Sequence, residues 1–473
     1  MHHQRNDGAL NNKLHQQDHL EQDMTIPFNN TASSRFLHGF TDLATLEKNG
    51  PVVVTQGEGI YVQDTTGKRY LDANSGLWNA VAGFDHPELI ETMVAQTRKF
   101  PTYHAFFGRV PEPAVALADK LIEVSPFDRG KVYFTNSGSE ANDTMVKMLW
   151  MLNRARGKPE RRKIVTRVNS YHGVTVATAS MTGKAYNSHF GLPLPDFLHA
   201  DCPHYWRYGE AGESEGDFTA RMARNLEDLI HREGPDTIAG FFAEPVMGAG
   251  GVIPPSKGYF EAIRPILRKY DIPLIADEVI CGFGRTGEMW GSDTYRMEPD
   301  AIIASKCITA GYFPMGAVLL SGPLADDIMD VSRTIEEFPH GFTAGAHPVG
   351  CAVALKAIDL IQNGGLLDNV RRVAPQFNAH LARLAKHPNI GEARGIGLMG
   401  ALELVADKAL KTPLPADLQV SERLASEALR NGLIVRPLGA SIVLAPPFIS
   451  RNEDIDAIFQ LLESSLDNVL AKV

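Results

Sequence analysis

The sequence predicts an α/β protein built on an open, mostly parallel β-sheet. Two short apolar runs, 272–276 and 301–304, have the length and branching of buried parallel strands. A charged residue follows each run, Asp277 after the first and Lys306 after the second. A third signal is a strand, a small-residue turn and a helix over residues 132–152. Because ligands bind at the carboxyl ends of strands in such sheets, we expect the functional site around residues 272–306.

Length and composition limit the kinds of protein this can be. A chain of 473 residues predicts two or three domains, and 44% hydrophobic with 22% charged residues is typical of soluble globular proteins. The net charge of -10 argues against nucleic acid or an anionic membrane as a partner. No apolar segment approaches the ~18–20 residues of a membrane span. The four cysteines have no paired spacing, which predicts reduced thiols and a cytoplasmic location.

Residues 1–30 are rich in His, Asn, Gln and Asp and have no apolar period. This composition predicts a disordered polar extension. It resembles neither a mitochondrial transit peptide nor a secretory signal. Met24 is a candidate alternative start, so deletion of residues 1–23 should leave activity intact.

The first structured region is expected to be β-rich. Alternating polar and apolar residues around Asp64–Gly67 predict a β-hairpin, and a helix should begin near Pro87. Trp78 lies in the Gly-punctuated loop between them, and Phe106 and Phe107 lie in a loop after the helix. These aromatic residues could either fill the core or line a pocket.

Residues 132–152 predict a phosphate site. The turn Ser137-Gly138-Ser139 joins a strand to a helix, where free N–H groups and the helix dipole can hold an anion. The alternative is an ordinary N-cap formed by Ser137 or Ser139.

Two further strands are expected to end at functional groups. Residues 164–168 precede Tyr171 and His172, and residues 239–243 precede Glu244. Tyr171 could stack on a planar ligand or be a buried structural residue. Helices are predicted over 218–233 and 259–269.

The last third of the chain is predicted to form a separate α+β unit from about residue 350. Strands are expected over 395–404 and 433–436 around a helix at 418–431, with a closing helix from about Asn452. Arg436 is a single cation between two apolar strand segments. It could pair with a carboxylate of the protein or receive one from a substrate.

An acid and an amine at neighbouring strand ends suggest a pyridine-type cofactor that carries an aldehyde. Asp277 would face the ring nitrogen, and at ~4 Å with an effective dielectric of ~20 such a pair interacts by roughly 4 kcal/mol. Lys306 would hold the aldehyde and then act as general base and acid, with a pKa lowered by burial.

Six segments carry a resemblance to a known family. They are NSGSEAN at 136–142, YHG at 171–173, EPV at 244–246, DEVICGFGRTG at 277–287, Lys306, and HGFT at 340–343. From about Gly39 onward the chain resembles the class III aminotransferases, pyridoxal-phosphate enzymes of fold type I, and most closely the amine–pyruvate (omega-) transaminases. The resemblance implies a large domain with a doubly wound, mostly parallel seven-stranded sheet over 75–345. It implies a smaller α+β domain built from 31–74 and 346–473.

The same resemblance implies a role for each matching residue. Lys306 would bind pyridoxal 5'-phosphate covalently and Asp277 would bind its pyridine nitrogen. The remaining cofactor-binding residues would be Ser137, Gly138, Ser139, Tyr171, His172, Glu244, Val279, Phe342 and Thr343, with Thr343 supplied by the partner subunit. The substrate-binding residues would be Trp78, Phe106, Phe107, Tyr171 and Arg436. Cys307, next to the lysine, departs from the usual small or amide residue and affects only fine positioning.

The expected reaction is transfer of an amino group from primary amines or omega-amino compounds to pyruvate, giving L-alanine by ping-pong chemistry with (S)-selectivity. The resemblance implies a homodimer, possibly a tetramer, with active sites at the subunit interface. One alternative is an aminotransferase dedicated to a donor such as taurine, β-alanine or a polyamine. Another is a catalytically silent cofactor-binding protein, which retention of Lys306 and Asp277 disfavours.

Overall fold

A computed structural model of the chain describes residues 35–471. These residues form two compact units, 35–54 and 55–471. In the first unit, α1 (Leu43–Asn49) begins at Asp42, whose side chain accepts hydrogen bonds from the N–H groups of Ala44 and Thr45. The predicted extension at 1–30, with Met24, lies outside the described residues.

The predicted hairpin around Asp64–Gly67 is confirmed. It is formed by the second and third of three strands, β1 (Val54–Glu58), β2 (Tyr61–Asp64) and β3 (Arg69–Asp72), and β2 pairs antiparallel with β3. The Asp64 carboxylate stabilises the turn by accepting hydrogen bonds from the N–H groups of Thr66 (2.8 Å) and Lys68 (3.1 Å).

A seven-stranded sheet forms the centre of the second unit, which confirms the predicted α/β fold. Its strands in chain order are β4 (Gly130–Thr135), β5 (Lys163–Arg167), β6 (Phe197–Ala200), β7 (Ile238–Ala243), β8 (Leu274–Asp277), β9 (Ala301–Ala304) and β10 (Gly316–Ser321). The spatial order is β4-β10-β9-β8-β7-β5-β6, and only β10 runs antiparallel to its neighbours. Every residue of β7, β8 and β9 is buried, as expected for apolar strands covered on both faces.

Helices connect and cover these strands. They are α2 (Ser75–Trp78), α3 (Pro87–Lys99), α4 (Glu112–Glu123), α5 (Gly138–Ala155), α6 (Val176–Met181), α7 (Tyr205–Tyr208), α8 (Glu215–Glu233), α9 (Tyr259–Lys269), α10 (Gly291–Thr294), α11 (Gly322–Ile335) and α12 (Pro348–Gln362). The predicted helix at 259–269 is confirmed, and that at 218–233 begins three residues earlier, where Ser214 caps the N–H of Asp217. None of the helices between residues 35 and 471 has the length and apolar content needed to cross a membrane.

The C-terminal part contains the smaller sheet. Its elements are α13 (Leu366–Leu384), β11 (Ile390–Ile396), β12 (Met399–Asp407), β13 (Thr412–Pro413), α14 (Val420–Arg430), β14 (Leu433–Ile434), β15 (Arg436–Leu438), β16 (Ser441–Leu444) and α15 (Asn452–Leu470). Four of the strands follow the order β11-β12-β16-β15, and β13 pairs with β12. The closing helix begins at Asn452, as predicted.

Two predicted strands of this region are each divided into two. Residues 395–404 contain the end of β11, a turn and the start of β12. They do not form one strand, because Gly397 adopts a φ of 55° and reverses the chain. Residues 433–436 divide between two sheets, since β14 pairs in parallel with β3 whereas Arg436 in β15 pairs with Val443. Strand β14 thereby joins an N-terminal and a C-terminal segment, while the domain boundaries at 74/75 and 345/346 stay a prediction.

Candidate active site

Five strands deliver side chains to one edge of the large sheet. Strands β5, β7, β8 and β9 are mutually parallel, and β4 points the same way because β10 is antiparallel to both β4 and β9. Their carboxyl ends therefore meet, and each is followed by predicted site residues. These are Ser137–Ser139, Tyr171 with His172, Glu244, Asp277 and Lys306.

The Asp277 carboxylate is buried and fixed by three donors. Its Oδ2 accepts hydrogen bonds from Asn142 Nδ2 (2.9 Å) and from His172 Nδ1 (2.7 Å), with the imidazole proton on Nδ1. Its Oδ1 accepts one from the N–H of Val279 (3.2 Å). These bonds set the direction of the carboxylate. The sequence reading did not assign a role to Asn142, although it lies in the 136–142 motif one turn after Gly138 on α5.

Lys306 starts a short 3-10 turn immediately after β9. Its φ of 47° is a left-handed backbone conformation that residues other than glycine rarely adopt. The preceding Ser305 is held by a hydrogen bond from its Oγ to the carbonyl of Met315 (2.7 Å). Burial lowers the pKa of the lysine to about 8, although the nearby Asp277 carboxylate opposes that shift. The amine therefore loses its proton far more readily near neutral pH than an ordinary lysine, as a nucleophile or proton acceptor requires.

The Ser137–Ser139 turn has the features of both structures predicted for it, an N-cap and an anion site. Ser137 is the N-cap of α5, since its Oγ accepts a hydrogen bond from the N–H of Glu140 (3.2 Å). The N–H groups of Gly138 and Ser139 donate to no other described residue, and both lie at the positive end of an 18-residue helix. A Cβ on Gly138 would lie 2.8 Å from Val279 Cγ2, so any larger residue would force Val279 to shift. The turn is therefore both a cap and a ready anion site.

Glu244 links the loops that follow β5 and β7. Its Oε1 accepts a hydrogen bond from the N–H of Tyr171 (3.1 Å) and its Oε2 one from the N–H of Gly248 (3.0 Å). Burial raises the pKa of this carboxyl group, and the positive charge of Arg167 partly opposes the shift. The first bond fixes the backbone of Tyr171, whose side chain is half-buried, and the second fixes the backbone of Gly248.

Trp78 and Arg436 lie beside Lys306. The Trp78 side chain is 1% exposed, and its ring centroid is 5.8 Å from Lys306 Nζ and 5.8 Å from Arg436 Cζ. Arg436 is half-buried, and among residues 35–471 its guanidinium makes no ion pair or hydrogen bond. Burial lowers the pKa of its guanidinium. The interpretation of Arg436 as one half of an internal ion pair is therefore wrong for the described residues, and the cation is available to another carboxylate.

The structure gathers four other predicted site residues into a second cluster. Phe106 packs on Gly341, where a Cβ would lie 2.4 Å from the ring, and Phe107 is 84% exposed. Phe342 packs edge-on against His340, and Thr343 is exposed. His340 itself stacks on Tyr133 (5.5 Å, 14°) and bonds through Nε2 to Thr144 Oγ1 (2.9 Å). Among the described residues, no hydrogen bond or ring contact links Phe106, Phe107, Phe342 or Thr343 to Lys306, Asp277 or Arg436.

Two polar residues near Arg436 were missed by the sequence reading. Burial lowers the pKa of Lys184, whose Nζ donates to Asn169 Oδ1, and burial raises the pKa of Tyr186 to about 12. The Arg436 charge acts on both groups. Residues 183–190 have no periodicity or motif that could have revealed them. Cys307 is fully buried and its thiol donates to the carbonyl of Trp78 (3.5 Å), so it packs behind the site.

Comparison with known proteins gives a consistent family. The sequence profile described as "Aminotransferase class-III" matches residues 43–466. An aminotransferase from Vibrio fluvialis, solved in a PMP-bound form, is 63% identical, with a TM-score of 0.92 over 94% of this chain and 100% of that one. An omega-aminotransferase from Paracoccus denitrificans is 65% identical, with a TM-score of 0.92 over 93% and 98% of the two chains.

Curated relatives carry a narrower name. Gamma aminobutyrate transaminase 1 of Solanum lycopersicum, described as mitochondrial, is 43% identical over 418 residues, which cover 88% of this chain and 81% of the relative. A probable gamma-aminobutyrate transaminase 3 of Oryza sativa subsp. indica is 44% identical over 410 residues, 86% of this chain and 80% of the relative.

Proposed function

Since the chain belongs to the class III aminotransferases, pyridoxal-phosphate enzymes of fold type I, we propose that it transfers an amino group from primary amines or omega-amino compounds to pyruvate, giving L-alanine. The donor selectivity proposed is (S). The observation that carries the proposal is Arg436, a half-buried cation without a carboxylate partner in the described chain, 5.8 Å from the same indole ring as Lys306 Nζ.

The residues of the site fit pyridoxal phosphate. The free N–H groups of Gly138 and Ser139, with the two serine hydroxyls, would hold the phosphate. Asp277 would hold the pyridine nitrogen, Tyr171 and Val279 would cover the two ring faces, and His172 and Glu244 would support them from behind. When bound, the cofactor supplies an electron sink for removal of a proton from the carbon that carries the amine.

Lys306 would perform the proton transfers. Burial gives this amine a lowered pKa of about 8, which suits a group that must both accept and return a proton near neutral pH. Asp277 would have the different role of holding the pyridine nitrogen, in a direction fixed by Asn142, His172 and the N–H of Val279.

A pyruvate-type acceptor is favoured by the charge and the apolar surface around Arg436. One guanidinium can receive one carboxylate in a bidentate manner, and the indole of Trp78 offers an apolar surface to a donor that has no carboxylate. Movement of Arg436 would allow both substrates to use one pocket. The 63% and 65% identity to an aminotransferase of Vibrio fluvialis and an omega-aminotransferase of Paracoccus supports this reading.

A second candidate is an enzyme dedicated to an omega-amino acid. The curated relatives at 43–44% identity are named gamma-aminobutyrate transaminases, and Arg436 could instead receive the distal carboxylate of such a donor. Taurine, β-alanine and polyamines stay alternative donors of the same kind. A catalytically silent protein is opposed by the partly unprotonated Lys306.

A homodimer, possibly paired into a tetramer, is part of the proposal. Thr343 and Phe342 would serve the cofactor of the partner subunit, and Phe106 and Phe107 would line the partner's substrate pocket. Phe107 is 84% exposed, which leaves its ring available to a second subunit. Phe106 packs on Gly341, so the segments that contain Phe106 and Gly341 would reach the partner's site side by side. We also propose a cytoplasmic location, supported by four free cysteine thiols.

The test is a matrix of donors and acceptors. Both enantiomers of 1-phenylethylamine, 4-aminobutyrate, β-alanine, taurine and putrescine would each be combined with pyruvate, 2-oxoglutarate and glyoxylate, and kcat/KM would be measured for every pair. We expect pyruvate with (S)-1-phenylethylamine to be among the best pairs and Lys306→Ala to be inactive in all. A strong preference for 2-oxoglutarate, or activity with omega-amino acids alone, would contradict the proposal.

A further inference from the structure

Trp78 sits at the end of a turn with an unusual backbone. Ser75, Gly76 and Trp78 adopt φ values of 48°, 63° and 65°, and two of these three residues have side chains that disfavour the left-handed region. Such a turn persists only where surrounding contacts fix it, and turns of this kind concentrate at functional sites.

Polar contacts fix the backbone of this turn. The buried Asp72 carboxylate accepts hydrogen bonds from the N–H groups of Asn74 (2.7 Å) and Gly76 (2.9 Å). Ser75 Oγ donates to the carbonyl of Ala445 (2.6 Å) and accepts from the Arg285 guanidinium (3.2 Å). All of these bonds act on residues 74–76 and leave the Trp78 side chain to be fixed separately.

A single hydrogen bond fixes the indole. Trp78 Nε1 donates to Asn74 Oδ1 (2.5 Å), and the two side chains are buried, with residue exposures of 1% and 4%. Asn74 is itself held, since its Nδ2 donates to the carbonyl of Gly76 (3.0 Å). The indole N–H has no other acceptor in the described part of the chain. Without Asn74 Oδ1 it would be a buried donor left unpaired, so the ring would turn to find a partner.

The angle of the indole determines the shape of the pocket. Its six-membered ring lies against the backbone of Gly248, where a Cβ would come within 2.2 Å of Trp78 Cζ3. The same ring is 5.8 Å from both Lys306 Nζ and Arg436 Cζ. A rotated indole would lose its contact with Gly248, and its edge would move toward the space between Lys306 and Arg436.

We propose that Asn74 is a positioning residue that fixes the Trp78 indole and thereby sets the size of the amine substituent that the site accepts. The inference rests on the proposed function, because it assumes that an amine binds between Lys306 and Arg436. Asn74 would affect the choice of amine through the indole N–H and not through its bond to the carbonyl of Gly76.

A double-mutant cycle in the holoenzyme tests this mechanism. Asn74→Leu keeps the side-chain size and removes the acceptor, and it would be made in the wild type and in Trp78→Phe, which lacks the donor. The amine half-reaction, followed by loss of cofactor absorbance without a keto acid, would be measured with 1-phenylethylamine and with 1-phenylbutylamine. We expect Asn74→Leu to change the ratio of the two rate constants about tenfold in the wild type and less than about twofold in Trp78→Phe.

A matched control separates loss of the indole bond from general loosening of the loop. Asn79 Oδ1 accepts a hydrogen bond from the N–H of Leu77 (3.0 Å) in the same turn and does not bond to the indole. Asn79→Ala should therefore leave the ratio within about twofold of the wild type. Equal changes of the ratio in both backgrounds, or no change in either, would overturn the proposal.

A substrate-free readout keeps this inference distinct from the proposed function. The hydrogen-bond-sensitive indole N–H band in ultraviolet resonance Raman spectra should shift in Asn74→Leu and stay in Asn79→Ala. If neither amine reacts with any variant, the proposed function fails, while this shift still decides whether Asn74 holds the indole. If Asn74→Leu does not fold, Asn74→Ser, whose hydroxyl is too short to reach the indole, gives the same comparison.

Discussion

Replacement of Arg436 by methionine removes one charge and nearly preserves the length of the side chain. A carboxylate about 4 Å from the guanidinium, at an effective dielectric of about 20, would interact by roughly 4 kcal/mol. Part of this is lost on removing the carboxylate from water, and hydrogen bonds to charged groups contribute a net ~1.5–3 kcal/mol. We therefore expect a loss of about 2–3 kcal/mol for pyruvate, which is a decrease of roughly 30- to 150-fold in kcat/KM.

The two half-reactions distinguish the substrates. With (S)-1-phenylethylamine alone, the rate constant for loss of cofactor absorbance should fall less than about threefold in Arg436→Met, because an apolar donor gives the guanidinium no anion to bind. With pyruvate, return of that absorbance should show the whole loss. Arg436→Lys is the matched control, since it keeps the charge and loses the planar fork, and it should give an intermediate loss. Equal losses in both half-reactions of Arg436→Met would refute the assignment of Arg436 to the acceptor carboxylate.

Three other predictions concern Lys306, Gly138 and Glu278, a buried residue that follows Asp277 and accepts hydrogen bonds from the N–H groups of Gly291 and Ser292. Lys306→Met should raise the thermal midpoint of the cofactor-free protein at pH 7, because the folded-state pKa of about 8 lies below the usual 10.5. The stability of the wild type relative to Lys306→Met falls as pH drops from 10.5 through 8. The rise in thermal midpoint caused by the substitution should therefore be smaller at pH 10.5 than at pH 7, and an equal rise at both would contradict the prediction. Gly138→Ala should weaken retention of pyridoxal phosphate by about tenfold or more, since its Cβ would meet Val279 at 2.8 Å. Equilibrium dialysis should show no such loss for Gly216→Ala, whose Cβ would meet only a hydroxyl at 3.8 Å. Burial raises the pKa of Glu278 to about 7, so its contribution to stability is present below 4.5 and lost as pH rises through 7. Urea unfolding of Glu278→Gln should show a larger relative stability at pH 8 than at pH 5, and the opposite order would refute that sign.

The large sheet and its catalytic edge could be predicted because their signals are local. A buried parallel strand is a short apolar run, and a charged residue directly after it must lie at the carboxyl edge, which located Asp277 and Lys306. The turn at 137–139 was recognisable for the same reason. The role of Asn142 was not predictable, because nothing in a helix sequence tells which face meets the end of a strand 135 residues later in the chain.

The errors arose where one apolar stretch contains a change of direction. Gly397 reverses the chain inside residues 395–404, and Val435 separates two strands that enter different sheets. Apolar periodicity is the same before and after each change, so the sequence pattern contained no boundary. The grouping of Phe106 with Gly341 is likewise a contact between segments more than 200 residues apart, which spacing along the chain cannot reveal.

The residues proposed to contact the substrate and those proposed to transfer protons belong to different sheets, so they can change at different rates during evolution. Strand β16 carries the first set. Arg436 pairs with Val443 of this strand, and the N–H of Ala445 directly after it bonds to the carbonyl of Ala73 (2.7 Å), at the start of the Trp78 turn. Both proposed substrate walls are thus attached to one strand of the smaller sheet, whereas Asp277 and Lys306 belong to the larger one. Substitutions along β16 can therefore alter donor preference while the proton-transfer apparatus keeps its geometry, which makes this strand a rational target for directed evolution.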